Sequence, residues 1–249
     1  MISERVFSQA FHFFWKELLP FLTSHYITLF NEAYSTVLRG VDGAALGELE
    51  IPEAVDRPDV AAELGFRLAK ISHSYNVSSE DNISLRPLIP DAIQEVRSSF
   101  RSFTAGSFTV EPTEVEIDEA LLLCSRYGAL YRNVVGEFVY CPCLPGVGFI
   151  DSCEADLVTA DTLIEVKTTT RRVSGRDLRQ VLVYLALRSA QGAHNWSAFG
   201  IFNPRRGVLS LMSVEAFVAH VSGGKTVHEV YGEILSFSGS RDLLIEKEF

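Results

Sequence analysis

The stretch from Gly148 to Tyr184 constrains this 249-residue chain more than any other. It opens as an apolar, strand-like run carrying acids, passes the polar turn Thr159-Ala160-Asp161-Thr162, and resumes as Leu163-Ile164-Glu165-Val166-Lys167. Successive side chains of a strand point to opposite faces, so Glu165 and Lys167 share one face and Ile164 and Val166 the other. A hairpin between the two runs brings Asp156 to the charged face. Two carboxylates and a lysine on a buried sheet are costly unless something balances them. A divalent cation would do so, because hard cations take carboxylate and carbonyl oxygens.

The residues that follow predict a helix. Ser174 with Asp177 three positions on is a capping box, so the helix starts near Gly175. Leu178, Val181, Leu182 and Leu185 then make one apolar stripe, and Gln180 and Tyr184, four apart, stack on another face. The order is acid-bearing strand, Glu-x-Lys strand, capped helix with Gln-x-x-x-Tyr. In Asp156, Glu165, Lys167, Gln180 and Tyr184 the chain resembles the PD-(D/E)xK nuclease superfamily, in particular its RecB-like branch.

The resemblance covers about residues 112–215 and implies an α/β fold, the mixed central sheet of the restriction-endonuclease-like αβββαβ core. It implies a metal-dependent nuclease that hydrolyses phosphodiester bonds, of DNA in first place, in repair or in defence against foreign DNA. Asp156, Glu165 and the carbonyl of Val166 would hold Mg²⁺ or Mn²⁺. Lys167 would orient or help deprotonate the attacking water, and Gln180 and Tyr184 would position the lysine. Members of the superfamily often draw a further metal ligand from the helix before the sheet, commonly a histidine in the RecB-like branch. The helix expected from Pro112 has no histidine; Glu119 is the candidate, and Glu116 reads as the capping partner of Thr113. RNA in place of DNA stays open, as does a catalytically silent binding or scaffold subunit that keeps the fold.

Charge bears on partners. The net charge of −10 argues against a free-standing, high-affinity nucleic-acid binder, since phosphate contacts supply most non-specific affinity. From Lys167 to Arg206, however, eight lysines and arginines face a single acid, Asp177. Arg171, Arg172 and Arg176 in that island are the candidate phosphate contacts. A basic island in an acidic molecule predicts that a partner protein, or a second copy of the chain, delivers the strand. No apolar run is long enough to span a membrane. The N-terminus carries an acid and a base before its apolar part and lacks a small-residue cleavage site, so the cytoplasm is the expected location.

The rest of the chain divides into a mainly helical N-terminal region, residues 1–107, and a nuclease-like domain, residues 108–249, joined at Thr104–Ser107. Phe7, Phe11, Phe14 and Leu18 predict one apolar helix ending near Pro20, and a second runs from Thr23 to Leu38. Residues 40–58 read as a loop, Pro58 opens a helix to about Ser74, a polar stretch follows from Ser78 to Ser84, and Pro90 opens another helix. A helix from Pro112 reaches about Leu130. Trp196–Phe202 and Val208–Val214 read as strands around the turn at Asn203–Gly207. The four cysteines, Cys124, Cys141, Cys143 and Cys153, match neither a zinc hook nor the four-cysteine iron–sulfur arrangement of some RecB-like nucleases, and reduced thiols are expected. Ala219–Thr226 resembles a phosphate loop but lacks a strand before it and a domain after it, and reads as a turn.

Overall fold

The computed structural model describes residues 1–101, 111–192 and 195–240. The boundary expected at Thr104–Ser107 lies outside the described residues. Among those described, the strands are β1 (Ser35–Val37), β2 (Val139–Tyr140), β3 (Cys143–Leu144), β4 (Cys153–Glu154), β5 (Leu157–Val158), β6 (Thr162–Val166), β7 (Ala198–Asn203) and β8 (Val208–Ser213). The helices are α1 (Glu4–Gln9), α2 (His12–Leu18), α3 (Ser24–Ala33), α4 (Pro58–Ser74), α5 (Asn82–Leu85), α6 (Ile89–Arg101), α7 (Glu114–Ser125), α8 (Tyr127–Asn133), α9 (Gly175–Ala190), α10 (Val214–Val221) and α11 (Val227–Gly239).

The fold is α/β with one mixed sheet, in the order β1-β8-β7-β6-β5-β2, and a separate β3-β4 ribbon. The turn between β5 and β6 closes when Thr159 N donates to Thr162 O at 2.8 Å and Thr162 N to Thr159 Oγ1 at 3.2 Å. That sets an antiparallel hairpin with Leu157 opposite Ile164. β6 and β7 run parallel, which demands a crossover, and α9 supplies it. Its expected cap forms: Ser174 N and Oγ both donate to Asp177 Oδ2 at 2.8 Å.

Alternation along the strands sorts the apolar residues into two cores, one on each face of the sheet. Leu163, Phe199, Ile201 and Met212 pack with Trp15, Leu178, Leu182, Phe217 and Ile234. Ile164, Phe202, Leu209 and Leu157 pack with Leu64, Leu68, Val96, Leu121 and Tyr127. The N-terminal residues are therefore built into both faces, α1 against α9 and α4 against α7, and β1 pairs with β8 as an edge strand.

Several local expectations are corrected. The first helix breaks in two at Phe11, which takes a left-handed conformation with φ 53°. Such backbone costs a non-glycine residue on the order of 1–3 kcal/mol. The break folds α2 back so that Phe7 meets Phe11 at 5.5 Å, Phe14 at 5.8 Å, Trp15 at 5.3 Å and Phe149 at 5.8 Å between ring centroids. Each aromatic pair adds roughly 0.5–1.5 kcal/mol beyond its burial, so the cluster outweighs the strain. The second helix stops at Ala33 and residues 35–37 pair with β8 instead, exchanging helical bonds for a place on the sheet edge. The polar stretch at 78–84 yields α5, capped by the Asp81 side chain. The helix from Pro112 keeps its Thr113–Glu116 capping box but ends at Ser125, and α8 starts after the buried Arg126.

Candidate active site

The register that sets Leu157 against Ile164 brings Asp156, one step on, opposite Glu165. Asp156 Oδ2 accepts from Val166 N at 2.7 Å, so the end of β6 orients the carboxylate. Period-two alternation turns Glu165 and Lys167 toward α9, as expected. The Glu165 side chain is 3% exposed, and its Oε1 lies 2.6 Å from Lys167 Nζ. Its other oxygen, Oε2, is buried without a hydrogen-bond partner among the described residues. Lys167 Nζ also donates to Gln180 Oε1 at 2.8 Å. Gln180 Nε2 in turn donates to Tyr184 Oη at 3.0 Å, so the two residues four apart on α9 act on the lysine in series.

The chain of bonds ends on a residue the sequence did not announce. Glu4, in the first turn of α1, accepts from Gln180 Nε2 and from Tyr184 Oη, both at 3.3 Å, through Oε1. Glu63 on α4 is a second unanticipated neighbour: it lines the same cleft as Asp156 and adds to the negative field on it. Neither had a usable signal. An acid after Ser3 reads as an ordinary first-turn residue, and Glu63 with Arg67 reads as an i,i+4 surface pair.

Burial, with Glu165 opposite, holds the Asp156 carboxyl well above the ordinary carboxylate range. Burial pushes the Lys167 ammonium down, but Glu165 and Asp156 more than restore it, leaving it above an ordinary lysine. Lys167 is therefore protonated at neutral pH when no other cation is bound. For Asp156 the linkage has a definite sign. A folded-state pKa above the unfolded one means that the stability tied to the protonated form is complete below the ordinary carboxylate range. It is lost as pH rises through the shifted value. Asp156→Asn is therefore expected to raise the melting temperature in cation-free buffer at pH 7, by about 2–4 °C per kcal/mol relieved. The gain should shrink toward pH 4, and Mn²⁺ should stabilise the wild type more than the variant. Thermal unfolding with and without Mn²⁺ checks this; a variant melting at or below the wild type at pH 7 contradicts it.

The donor set fits a hard divalent cation. Two carboxylates face each other, and one oxygen of Glu165 is orphaned. Among the described residues no group of three or more His, Cys, Asp and Glu side chains is arranged around a metal position. Mg²⁺ in particular is commonly held by one or two carboxylates, with water and phosphate oxygens completing its shell. Val166, whose carbonyl is the third expected ligand, is the last residue of β6.

Asp156 opens onto a cleft of about 1310 Å³ walled by α1, α4, α6 and residues 151–156. Its lining is acidic: Glu4, Glu63, Asp91, Glu95, Asp151, Glu154 and Asp156 against Arg5, Arg67 and Lys70. Arg67 is spent on Glu63 at 2.7 Å, and Lys70 on Glu95 at 2.8 Å.

The remaining expected site residues lie elsewhere. Glu119 does not join Asp156. It is buried against Arg205 at 2.7 Å, because Arg205, also buried beyond the end of β7, needs a counter-charge. Half of the basic island is paired with acids: Lys167, Arg171, Arg205 and Arg206. Arg171 grips Asp177 with both terminal nitrogens, which commits the guanidinium expected on phosphate to the cap of α9. Arg206 pairs with Glu48, Arg179 lies over Trp15 and Arg188 over Trp196. Arg172 and Arg176 stay exposed. All four cysteines are free; Cys141 lines the cleft and accepts from Arg67 Nη1 at 3.4 Å. In the phosphate-loop-like segment, Lys225 pairs with Glu233 and Thr226 caps α11. Among the described residues no helix is long and apolar enough to cross a membrane. No protein-family model, curated protein or solved structure matches the chain.

Proposed function

We propose that the chain is a divalent-cation-dependent nuclease, acting on DNA in first place. The observation that carries this reading is the meeting of Asp156 with Glu165, one of whose oxygens is orphaned, beside a lysine held by Glu165 and Gln180. Asp156, Glu165 and the Val166 carbonyl would hold Mg²⁺ or Mn²⁺. When bound, the ion would polarise the scissile phosphate and offset the charge of the departing oxygen. Glu165 would then have a second counter-charge, which frees the Lys167 ammonium to turn toward the attacking water. Gln180 would keep that ammonium within reach while Tyr184 supports the amide. The acidic cleft slows the encounter of an unassisted polyanion, which supports the reading that a partner protein or a second copy delivers the strand.

The same acidic lining favours a second reading, a silent subunit that docks a basic partner in the cleft. One experiment separates the two: Mn²⁺- and Mg²⁺-dependent cleavage of linear and circular, single- and double-stranded DNA, with an RNA arm and a Lys167 variant as control. Cation-dependent cleavage lost in the variant supports the nuclease. No cleavage of any substrate with either ion, by a folded chain at concentrations high enough to make up for slow unassisted encounter, removes it.

Binding has its own expectation. With Arg171 committed to Asp177, Arg172→Ala combined with Arg176→Ala should weaken DNA association at all sequences alike. The salt slope should fall by about 0.9 for each phosphate that no longer meets a guanidinium. Titration at several salt concentrations reads this directly, and an unchanged slope would mean that both side chains are merely solvated.

A further inference from the structure

We propose that Glu4 is a positioning residue of this site, whose carboxylate fixes which end of the Gln180 amide faces Lys167. A carboxamide can turn over and exchange its acceptor for its donors. An ammonium only donates, so Lys167 asks for Gln180 Oε1; a carboxylate only accepts, so Glu4 asks for Gln180 Nε2. Tyr184 alone cannot decide, because its hydroxyl donates or accepts equally well. With Glu4 taking the hydroxyl proton, Tyr184 Oη is left to accept from Gln180 Nε2, and every bond in the series runs one way.

Glu4 is held in register with the residue it serves at a distance. Ser3 Oγ caps α1 by accepting from Val6 N at 3.2 Å, and Phe7 is fully buried. Ile2 N donates to Phe149 O at 2.8 Å, and Asp151 N donates to Ile2 O at 2.9 Å. The segment carrying Glu4 is thereby bound to the segment leading into Asp156. Without Glu4, Gln180 keeps only one partner that dictates its orientation, and the lysine loses a fixed anchor opposite Glu165. Small misplacements of a reacting group are expensive, and outer partners of this kind commonly change activity by about 10- to 100-fold.

The inference rests on the nuclease reading for its kinetic arm only. The test compares wild type, Glu4→Leu, Glu4→Gln and Glu4→Ala as full-length chains. Leucine removes the acceptor and keeps water from replacing it; glutamine keeps an acceptor oxygen without charge. Expected for Glu4→Leu are displaced Gln180 side-chain amide resonances in ¹⁵N spectra, assigned by their loss in Gln180→Met. Its kcat with Mn²⁺ should fall about 10- to 100-fold while KM holds. Glu4→Gln should restore most of the rate. If Glu4→Leu fails to fold, Glu4→Ala is read in its place by the same criteria. Unmoved Gln180 resonances overturn the proposal, and so does a Glu4→Gln as slow as the leucine variant, which would make charge rather than orientation the cause. A chain that cuts nothing defeats the nuclease reading, and the Gln180 resonances still judge Glu4.

Discussion

Lys167→Met is expected to reduce cation-dependent cleavage by at least about 100-fold, the lower end of what a positioned proton-transfer group contributes. Methionine retains the length of the side chain and removes the ammonium that lies 2.6 Å from Glu165 Oε1. Two losses follow together. On the proposed mechanism the attacking water would have no ammonium or amine to orient it, and Glu165, 3% exposed, is left facing Asp156 without the Lys167 counter-charge. The second loss lowers stability in cation-free buffer, so Lys167→Arg is the companion variant. Arginine keeps a positive charge against Glu165 but stays protonated and presents a planar fork in place of a compact ammonium. It should melt close to the wild type and still fail to cut. Rates measured in a preparation free of contaminating nuclease decide the matter; cleavage at the wild-type rate by Lys167→Met would remove the lysine from the chemistry.

Arg205→Ala is expected to cost about 3–5 kcal/mol, the usual penalty for breaking a buried ion pair from one side. At about 2–4 °C per kcal/mol the melting temperature should fall on the order of 10 °C. The pair is deeply buried, with side-chain exposures of 1% for Arg205 and 3% for Glu119. Removing the arginine strands a carboxylate between α7 and the β7–β8 turn. Arg126 cannot fully replace it, since its Nη1 is already donating to Gly47 O at 2.7 Å and Pro204 O at 3.0 Å. Burial, with Arg205 close by, also pushes the Arg126 pKa down. Arg205→Met with Glu119→Leu should recover much of the loss, because two apolar side chains leave neither member of the pair stranded. Thermal unfolding of the single and double variants reads both effects. A single variant that melts with the wild type would mean that water reaches Glu119.

The site was legible where its geometry is local. The β5–β6 hairpin follows from two apolar runs around a short polar turn, and α9 from a stripe and a cap, so Asp156, Glu165, Lys167 and Gln180 could be brought together on paper. Each lies within one supersecondary unit. Glu4 could not, because it meets Gln180 across 176 residues, carried there by the burial of Phe7 among distant rings and by the backbone bonds of Ile2 to residues 149 and 151. Glu119 was misplaced for a related reason. Its helix and cap were readable, but its partner Arg205 belongs to a turn whose position depends on the finished sheet. The basic island misled because charge counted along the chain ignores pairing in space. Arg171 faces an acid six positions on, and Arg206 an acid in the 40–58 loop. Phe11 shows the limit of periodicity: the ring spacing suits a continuous helix, and only the assembled aromatic cluster favours the break.

The β5–β6 hairpin also limits how the gene for this chain can drift. A strand exchanges faces with every residue inserted or removed within it, so one extra residue in β6 ahead of Ile164 would turn Glu165 and Lys167 into the apolar core beneath α4 and α7. Ile164 and Val166 would take their place beneath α9. The turn between β5 and β6, with residues 160 and 161 exposed, can take up a change of length that the strand itself cannot. The link from Lys167 to Ser174 carries no such parity. It joins a strand to a helix, and the Ser174–Asp177 cap re-forms wherever α9 begins. Related chains should therefore vary in length after the lysine and at the turn, and keep their spacing within β6.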